Sequence, residues 1–174
     1  KHEYYADGEA PEKSADVLYK LKVPMFKIAS GDITHAPLLK HIASMKKPII
    51  ISTGMSNLKE IKNAICNVKS KKNNKIILMH SVSAYPTPYN EVNMMAMNLL
   101  KEKFLYPIGY SDNGSGVLVP QVAASLGATI IEKHFTLDRS DTTIRDHALS
   151  ATPDEFRTLT ALGRNIYKNL IIGV

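Results

Sequence analysis

The chain has 174 residues, of which 44% are hydrophobic and 22% are charged, with 22 lysines and arginines against 16 aspartates and glutamates for a net charge of +6. These values are typical of a globular domain, and no apolar run approaches the roughly 18 residues of a membrane helix, so we expect no membrane partner. The polar opening residues do not resemble a signal peptide, and the single cysteine, Cys66, has no partner for a disulfide; we expect a cytoplasmic protein.

A lysine-rich run contributes to the positive charge between Lys69 and Lys75. It is typical of a solvated loop, and a nucleic-acid patch is the alternative. Aromatic residues do not interleave with it, as single-strand binding would prefer, so we expect no nucleic-acid partner. A positive balance also suits an anionic small-molecule substrate.

Five short apolar stretches, rich in β-branched residues, recur along the chain and predict buried strands. They are Met25–Ala29, Pro48–Ile51, Ile76–Met79, Pro107–Tyr110 (the weakest) and Thr129–Glu132.

Helical patterns separate the predicted strands. Leu58, Ile61, Ile65 and Val68 repeat at helical spacing behind a capping box of Asn57 and Glu60. Further helices are predicted over 92–104, over 117–126 with Gly127 as a stop, and from Thr152–Pro153 onward with Glu155 closing a second box.

This alternation of strand and helix predicts an α/β fold with a parallel sheet. A doubly wound sheet and a TIM barrel both fit, and a complete barrel needs eight units and about 250 residues. With five units present, the chain is either an open sheet or part of a barrel. We find no internal linker and predict one domain over residues 1–174.

Polar residues follow each predicted strand, including Ser30–Asp32, Ser52–Gly54, His80–Ser83, Ser111–Gly114 and Lys133–Thr136. The carboxyl ends of parallel strands line active sites, and hydroxyls with glycines suit phosphate binding. Helix caps and turns are the alternative for any one of them. Five such ends in a row favour a shared polar site.

Three residues within or just after the apolar stretches allow sharper hypotheses. His134 has Glu132 two residues earlier on the same face, so it is either a metal ligand with a carboxylate partner or a core histidine. For His80 a structural role is favoured. Lys27 lies inside an apolar strand, where a buried lysine needs an anion such as a phosphate or carboxylate.

Seven segments, in order and from about Val17 to Leu162, resemble the N-acetylneuraminate synthase family, which includes sialic, pseudaminic and legionaminic acid synthases and spore-coat polysaccharide proteins. The segments are Lys27–Asp32, Ile51–Met55, Tyr85–Pro88, Ile108–Asp112, Leu126–Ala128, Glu132–Phe135 and Asp146–Ser150.

The resemblance implies the C-terminal portion of a TIM barrel, strands four to eight. Strands one to three and the small antifreeze-like domain of the family would then be absent here. Family enzymes use an arginine from a partner subunit, which implies a homodimer for the full-length protein.

The resemblance also implies the roles of individual residues. Phosphoenolpyruvate contacts are implied for Lys27, Ser30, Ser52, Ser83 and Ser111, with Ser83 standing where many members have asparagine. Sugar contacts are implied for Tyr85, Asp32 and Asp146, and the predicted catalytic residues are His134, Asp32 and Asp146.

A divalent cation, Mn²⁺ or Mg²⁺, is the implied cofactor. His134 matches one of the family's two metal-binding histidines, whereas the second position is Asn113 in this chain. An asparagine carbonyl oxygen binds hard cations but is a weaker ligand than imidazole for softer metals.

The implied reaction joins phosphoenolpyruvate to an N-acylated amino sugar of the N-acetylmannosamine type and releases phosphate. Two alternatives stay open: a non-catalytic or truncated barrel fragment that retains ligand binding, and a related phosphoenolpyruvate-dependent synthase for another sugar acid.

Overall fold

A computed structural model describes residues 11–141 and 143–171 of the chain, and strands and helices alternate along these residues. The helices are α1 (Pro11–Lys20), α2 (Ala36–Ser44), α3 (Leu58–Lys69), α4 (Met95–Phe104), α5 (Leu118–Ser125) and α6 (Pro153–Ile171). The strands are β1 (Phe26–Ile28), β2 (Ile49–Ser52), β3 (Ile76–Ser81), β4 (Ile108–Asp112) and β5 (Ile131–Lys133).

The strands form a parallel sheet, as the sequence predicted, and their order is β1-β2-β3-β4-β5. All five predicted strands are present, and no strand end is shifted by more than two residues. Short connections that keep sequential strands adjacent are the usual solution for repeated strand-helix units.

Two compact units divide the chain, residues 1–77 and residues 78–174. In the first, α2 packs against both α1 and α3, and β1 pairs with β2. Its most buried side chains include Leu39, Ile49, Ile51 and Val68, each 0% exposed. Burying one such side chain contributes roughly 1.5–3 kcal/mol, so this apolar core is the main source of stability for the unit.

In the second unit α5 packs on β4 and β5, and α6 packs on α5. Leu78, Met79 and Tyr110 are almost completely buried in its core. The side chains of β4 are buried along the whole strand, which is why its sequence does not alternate between apolar and polar residues.

Local sequence signals set the helix boundaries. The Asn57 side chain accepts hydrogen bonds from the backbone N–H of Lys59 and Glu60, each at 3.0 Å, and the Glu60 carboxylate accepts from the Asn57 N–H at 2.9 Å. Gly127 has φ +86°, a left-handed conformation that ends α5 at little cost for glycine. Both predictions are confirmed.

One predicted helix begins later than expected. The pattern predicted a helix from Val92, but α4 starts at Met95 because Asn93 adopts a left-handed φ of +47°. Val92 is buried instead, and its carbonyl serves as a hydrogen-bond acceptor for a histidine described below.

The lysine-rich run is a loop with a buried anchor. Asn73 is 2% exposed and its side-chain amide donates to the carbonyls of Ala43 and Lys47. The flanking Lys71, Lys72 and Lys75 are exposed. Over residues 11–141 and 143–171, none of the helices is both long and apolar enough to cross a bilayer.

Candidate active site

Two of the predicted phosphate-binding serines meet in the first unit. Ser52 is the last residue of β2, and Ser30 begins a 3₁₀ turn directly after β1. Their hydroxyl oxygens lie 2.9 Å apart, within hydrogen-bonding distance. Asp32 closes the same turn and is half-buried. The ends of β1 and β2 therefore bring two hydroxyls together, and the Asp32 carboxylate follows Ser30 by two residues in the chain.

Lys27 is exposed, so the prediction that it is buried was wrong. Phe26 and Ile28 turn into the core, and alternation along β1 places Lys27 on the opposite face. The parallel register pairs Lys27 with Ile50, and Ser52 lies two residues further along β2. Lys27 and Ser52 therefore belong to the same face of the sheet, which is compatible with a shared anion.

A polar face extends across the strand ends of the second unit, and we define it by Ser81, Ser111, Asn113, Glu132 and His134. The register pairs Ser81 with Ser111 and Ser111 with Glu132. The last registered pair is Asp112 and Lys133, so Asn113 and His134 each occupy the position directly after the end of β4 or β5. Because alternate residues share a face, this polar face includes three predicted site residues.

Hydrogen bonds fix the orientation of side chains on this polar face. The Asn113 amide nitrogen donates to the Val82 carbonyl at 2.8 Å and to the Ser81 hydroxyl at 3.3 Å. Asn113 is 3% exposed, and since its amide nitrogen is the donor in both bonds, the carbonyl oxygen is the side-chain atom with the chemistry of a cation ligand. Ser111 donates to the Glu132 carboxylate at 2.8 Å, so an anion bound at Ser111 would have to replace that carboxylate as acceptor.

The opposite face contains a buried ion pair that the sequence analysis did not identify. The Lys133 ammonium lies 2.7 Å from an Asp112 carboxylate oxygen, and the two side chains are 0% and 1% exposed. The Tyr110 hydroxyl donates to the other oxygen of Asp112 at 3.1 Å. Asp112 and Lys133 alternate along their strands with the residues of the polar face, so the sequence could have assigned both to the opposite face. That their side chains meet depends on the register between β4 and β5.

His80 is a core histidine, as favoured from the sequence. It is 7% exposed, and its Nε2 lies 2.8 Å from the Val92 carbonyl oxygen. Burial lowers the pKa of His80, with the hydrogen bond to Val92 partly opposing that effect. Its ring lies 5.8 Å from that of Tyr110. Burial, together with the charge of Asp112 and the hydrogen bond to it, raises the pKa of Tyr110.

His134, by contrast, is half-buried and lies among other predicted site residues. Its Nδ1 is 3.8 Å from an Asp146 carboxylate oxygen, and its ring meets that of Tyr85 edge to face at 5.9 Å. Asp146 comes close to His134 because the chain after it returns to β5. Ala151 pairs beside Phe135, and the Ala151 N–H donates to the His134 carbonyl at 2.8 Å. The structure thus brings together a predicted metal ligand and two predicted sugar contacts.

Residues 10–173 match the model of the NeuB family. The chain belongs to the NeuB family. It is 49% identical over 158 residues to an uncharacterised protein of Methanocaldococcus jannaschii, which covers 91% of this chain and 47% of that protein. It is 46% identical over 152 residues to the N,N'-diacetyllegionaminic acid synthase of Legionella pneumophila, which covers 85% and 42%. The chain spans about half the length of the curated relatives it matches.

A solved structure supports the same placement. The N-acetylneuraminic acid (sialic acid) synthetase of Leptospira borgpetersenii, crystallised with citrate, superposes with a TM-score of 0.89 at 38% identity, over 96% of this chain and 57% of that one. The resemblance to this group of synthases inferred from the seven segments is confirmed.

In this NeuB-family chain several side-chain hydrogen bonds hold the loop that follows β5. The Thr136 hydroxyl bonds the His147 ring, and the Arg139 guanidinium donates to the Ser150 carbonyl at 2.9 Å and to the Glu155 carboxylate. Arg139, followed by the Thr152 backbone N–H, lowers the pKa of Glu155 to about 2. These contacts hold the segment that contains Asp146. The capping box of Thr152 and Glu155 was predicted and is confirmed, with the Thr152 N–H donating to the Glu155 carboxylate at 2.9 Å. The contacts of Arg139 and the bond between Thr136 and His147 were not predicted.

The donors near His134 fit a hard divalent cation. Two ligand atoms at about 2.1 Å from one ion lie roughly 3.0–4.2 Å apart, and the separation of 3.8 Å between His134 and Asp146 falls in this range. Asn113, the residue after Asp112, lies on the same face by strand register. Across the described part of the chain, no group of three or more histidine, cysteine and acidic residues is arranged to hold a metal ion. Such a cation would therefore depend on amide and water oxygens as well.

Proposed function

We propose that the full-length protein is a synthase that condenses phosphoenolpyruvate with an N-acylated amino sugar to form a sialic-acid-like nonulosonic acid and inorganic phosphate. Membership of the NeuB family supports a sugar-acid synthase. The observation that carries the finer assignment is the meeting of His134, Asp146 and Tyr85 beside the polar strand ends.

Lys27, Ser30, Ser52, Ser83 and Ser111 are proposed to bind phosphoenolpyruvate. The contact between Ser30 and Ser52 and the placement of Lys27 on the face of Ser52 support a common anion site in the first unit. Hydroxyl and ammonium donors at strand ends bind phosphate and carboxylate groups by charge-assisted hydrogen bonds. Ser83 is half-buried in the loop that follows β3.

Tyr85, Asp32 and Asp146 are proposed to bind the sugar, with Asp32 and Asp146 also placed to exchange a proton with it. Asp146 and Tyr85 both contact His134. His134 and the Asn113 carbonyl would hold a Mn²⁺ or Mg²⁺ ion, which supplies Lewis-acid polarisation of the sugar aldehyde when bound.

The reaction balances without a further reactant beyond water. A carbon-carbon bond forms between the methylene carbon of phosphoenolpyruvate and the aldehyde carbon of the open-chain sugar, and the aldehyde oxygen takes a proton to become a hydroxyl. Water adds to the adjacent carbon, whose bond to the phosphate oxygen then breaks to leave a keto acid and phosphate. The proposed residues contribute positioning and electrostatic stabilisation.

The proposal extends to the whole protein. The five strands are proposed as strands four to eight of a TIM barrel that further chain completes, in a cytoplasmic homodimer acting on small molecules. The structural match to the Leptospira synthetase supports this arrangement.

Phosphate release by the full-length protein tests the function. The protein would be incubated with phosphoenolpyruvate, Mn²⁺ and N-acetylmannosamine, its 6-phosphate or an N,N'-diacetylated sugar, and the product identified by mass spectrometry. We expect sugar-dependent phosphate release, lost in His134→Ala and reduced in Ser52→Ala by about 10-fold or more, since oriented donors each contribute on this scale. Lys72→Ala, an exposed lysine of the lysine-rich loop, is the matched control.

Phosphoenolpyruvate binding without phosphate release for any sugar would instead support the ligand-binding fragment hypothesis. Release that depends on a sugar without an N-acyl group would support a synthase for another sugar acid.

A further inference from the structure

The Asp112–Lys133 ion pair is almost completely buried, and both charges have further hydrogen-bond partners. One carboxylate oxygen of Asp112 accepts from Lys133, and the other accepts from the Tyr110 hydroxyl and the Gly114 backbone N–H, both at 3.1 Å. The Lys133 ammonium also donates to the Gly114 carbonyl. The pair therefore links β5 to β4 and to the turn that follows β4.

The position of the pair relates it directly to the polar face. Asp112 and Lys133 are the final registered residues of β4 and β5. Each is followed by one proposed cation-binding residue, Asn113 or His134. Ser111 and Glu132, which precede the pair, share a hydrogen bond on the polar face. Any slip between the two strand ends would displace all four of these side chains together.

Stability alone does not account for such a pair. Removing two charges from water costs several kcal/mol per ion, and replacing a buried pair with apolar residues of similar size is often neutral or stabilising. What the pair provides, and a hydrophobic contact does not, is a directional link between two specific atoms on adjacent strands.

We propose that Asp112 and Lys133 are positioning residues, whose ion pair holds the ends of β4 and β5 in register so that Asn113 and His134 emerge side by side. They act through the groups of the polar face and contact neither substrate. The consequence for catalysis rests on the proposed function, whereas the effect on the two strand ends does not.

The test compares Asp112→Asn, Lys133→Met and the double variant in the full-length protein. Asp112→Asn leaves the buried Lys133 ammonium without its carboxylate, and Lys133→Met leaves the buried Asp112 carboxylate without its ammonium. Each single variant is therefore expected to lower the unfolding temperature. The double variant removes both charges, and we expect it to unfold within a few degrees of the wild type. Lys47→Met is the matched control, because Lys47 also donates to a backbone carbonyl, that of Val23, in the first unit.

Three measurements on the double variant separate positioning from bulk stability. Mn²⁺ affinity, followed by electron paramagnetic resonance, is expected to fall about 10- to 100-fold, the usual effect of losing a residue that supports metal ligands. We expect kcat to fall and the KM for phosphoenolpyruvate to rise, because Ser111 belongs to the same strand end as Asn113. Hydrogen exchange should accelerate only in peptides covering 111–116 and 131–136.

Unchanged Mn²⁺ affinity, kcat and local exchange in a stable double variant would overturn the proposal. A wild type that neither binds Mn²⁺ nor turns over substrate would defeat the proposed function only. In that case hydrogen exchange of the double variant tests the positioning role. Acceleration confined to the two strand ends supports it, and unchanged or uniformly faster exchange rejects it.

Discussion

Replacing Gly109 with alanine should destabilise the protein through a single backbone clash. A Cβ atom at this position would lie 2.9 Å from the Ile130 carbonyl oxygen and 3.2 Å from the terminal methyl of Met79. Met79 can move, but the Ile130 carbonyl is fixed because it accepts a hydrogen bond from the Tyr110 N–H at 2.9 Å. The extra methyl therefore pushes β5 away from β4.

The magnitude follows from two opposing effects. Overpacking a close contact costs typically 1–3 kcal/mol. Alanine also restricts the unfolded chain relative to glycine, which returns about 0.4–1 kcal/mol. We expect a net loss of about 1–2 kcal/mol for Gly109→Ala. At a urea m-value of about 2 kcal/mol per molar, the unfolding midpoint would fall by roughly 0.5–1 M.

Urea unfolding of Gly109→Ala and Gly163→Ala provides the comparison. Gly163 lies inside α6, and a Cβ there would have no neighbour within 4 Å. Alanine at that helical position should stabilise by about 0.5–1 kcal/mol. If Gly109→Ala is as stable as Gly163→Ala, the close approach of β4 and β5 at this position does not exist, and the reasoning fails.

Three further predictions concern capping and pH. Asn57→Ala should cost about 1 kcal/mol in denaturant unfolding by removing the capping box of α3, whereas Asn63→Ala, exposed in the same helix, should cost far less. The Glu155 pKa of about 2 means that its stabilisation is complete above its ordinary value of 4.5 and is lost as pH falls through about 2. Because Glu155 and Arg139 are partly exposed and screened, we expect about 1 kcal/mol at most, and Glu155→Gln should remove this part of the pH dependence. His80 has a lowered pKa, so the unfolded state binds its proton first and stability should decline as pH falls below 6.5. In His80→Asn that decline in thermal unfolding should flatten, and an unchanged pH profile would contradict the buried neutral histidine.

Much of the fold could be predicted from local sequence because its signals act over a few residues. The capping box of Asn57 and Glu60 depends on side chains that reach backbone groups within one helical turn. Gly127 ends α5 by its own backbone conformation. The helix α1 was not predicted, and its apolar positions Val17, Leu18 and Tyr19 remain exposed, so its hydrophobic pattern did not identify a buried face.

Local sequence signals predicted only part of the candidate site. Sequence identified Ser30, Ser52 and His134 as polar residues near strand ends, and the family resemblance added Asp146. Whether two of them meet depends on strand register and on the course of long loops.

The contact between His134 and Asp146 exists because Ala151 returns to pair beside Phe135, a placement that no local pattern specifies. The Asp112–Lys133 pair was missed for the same reason. A buried charge becomes favourable only when its partner is close, and the partner lies 21 residues away on the next strand. Sequence by itself therefore determined the elements and the polar character of their ends, while tertiary structure decided which charges and hydroxyls meet, because those contacts depend on distances between strands.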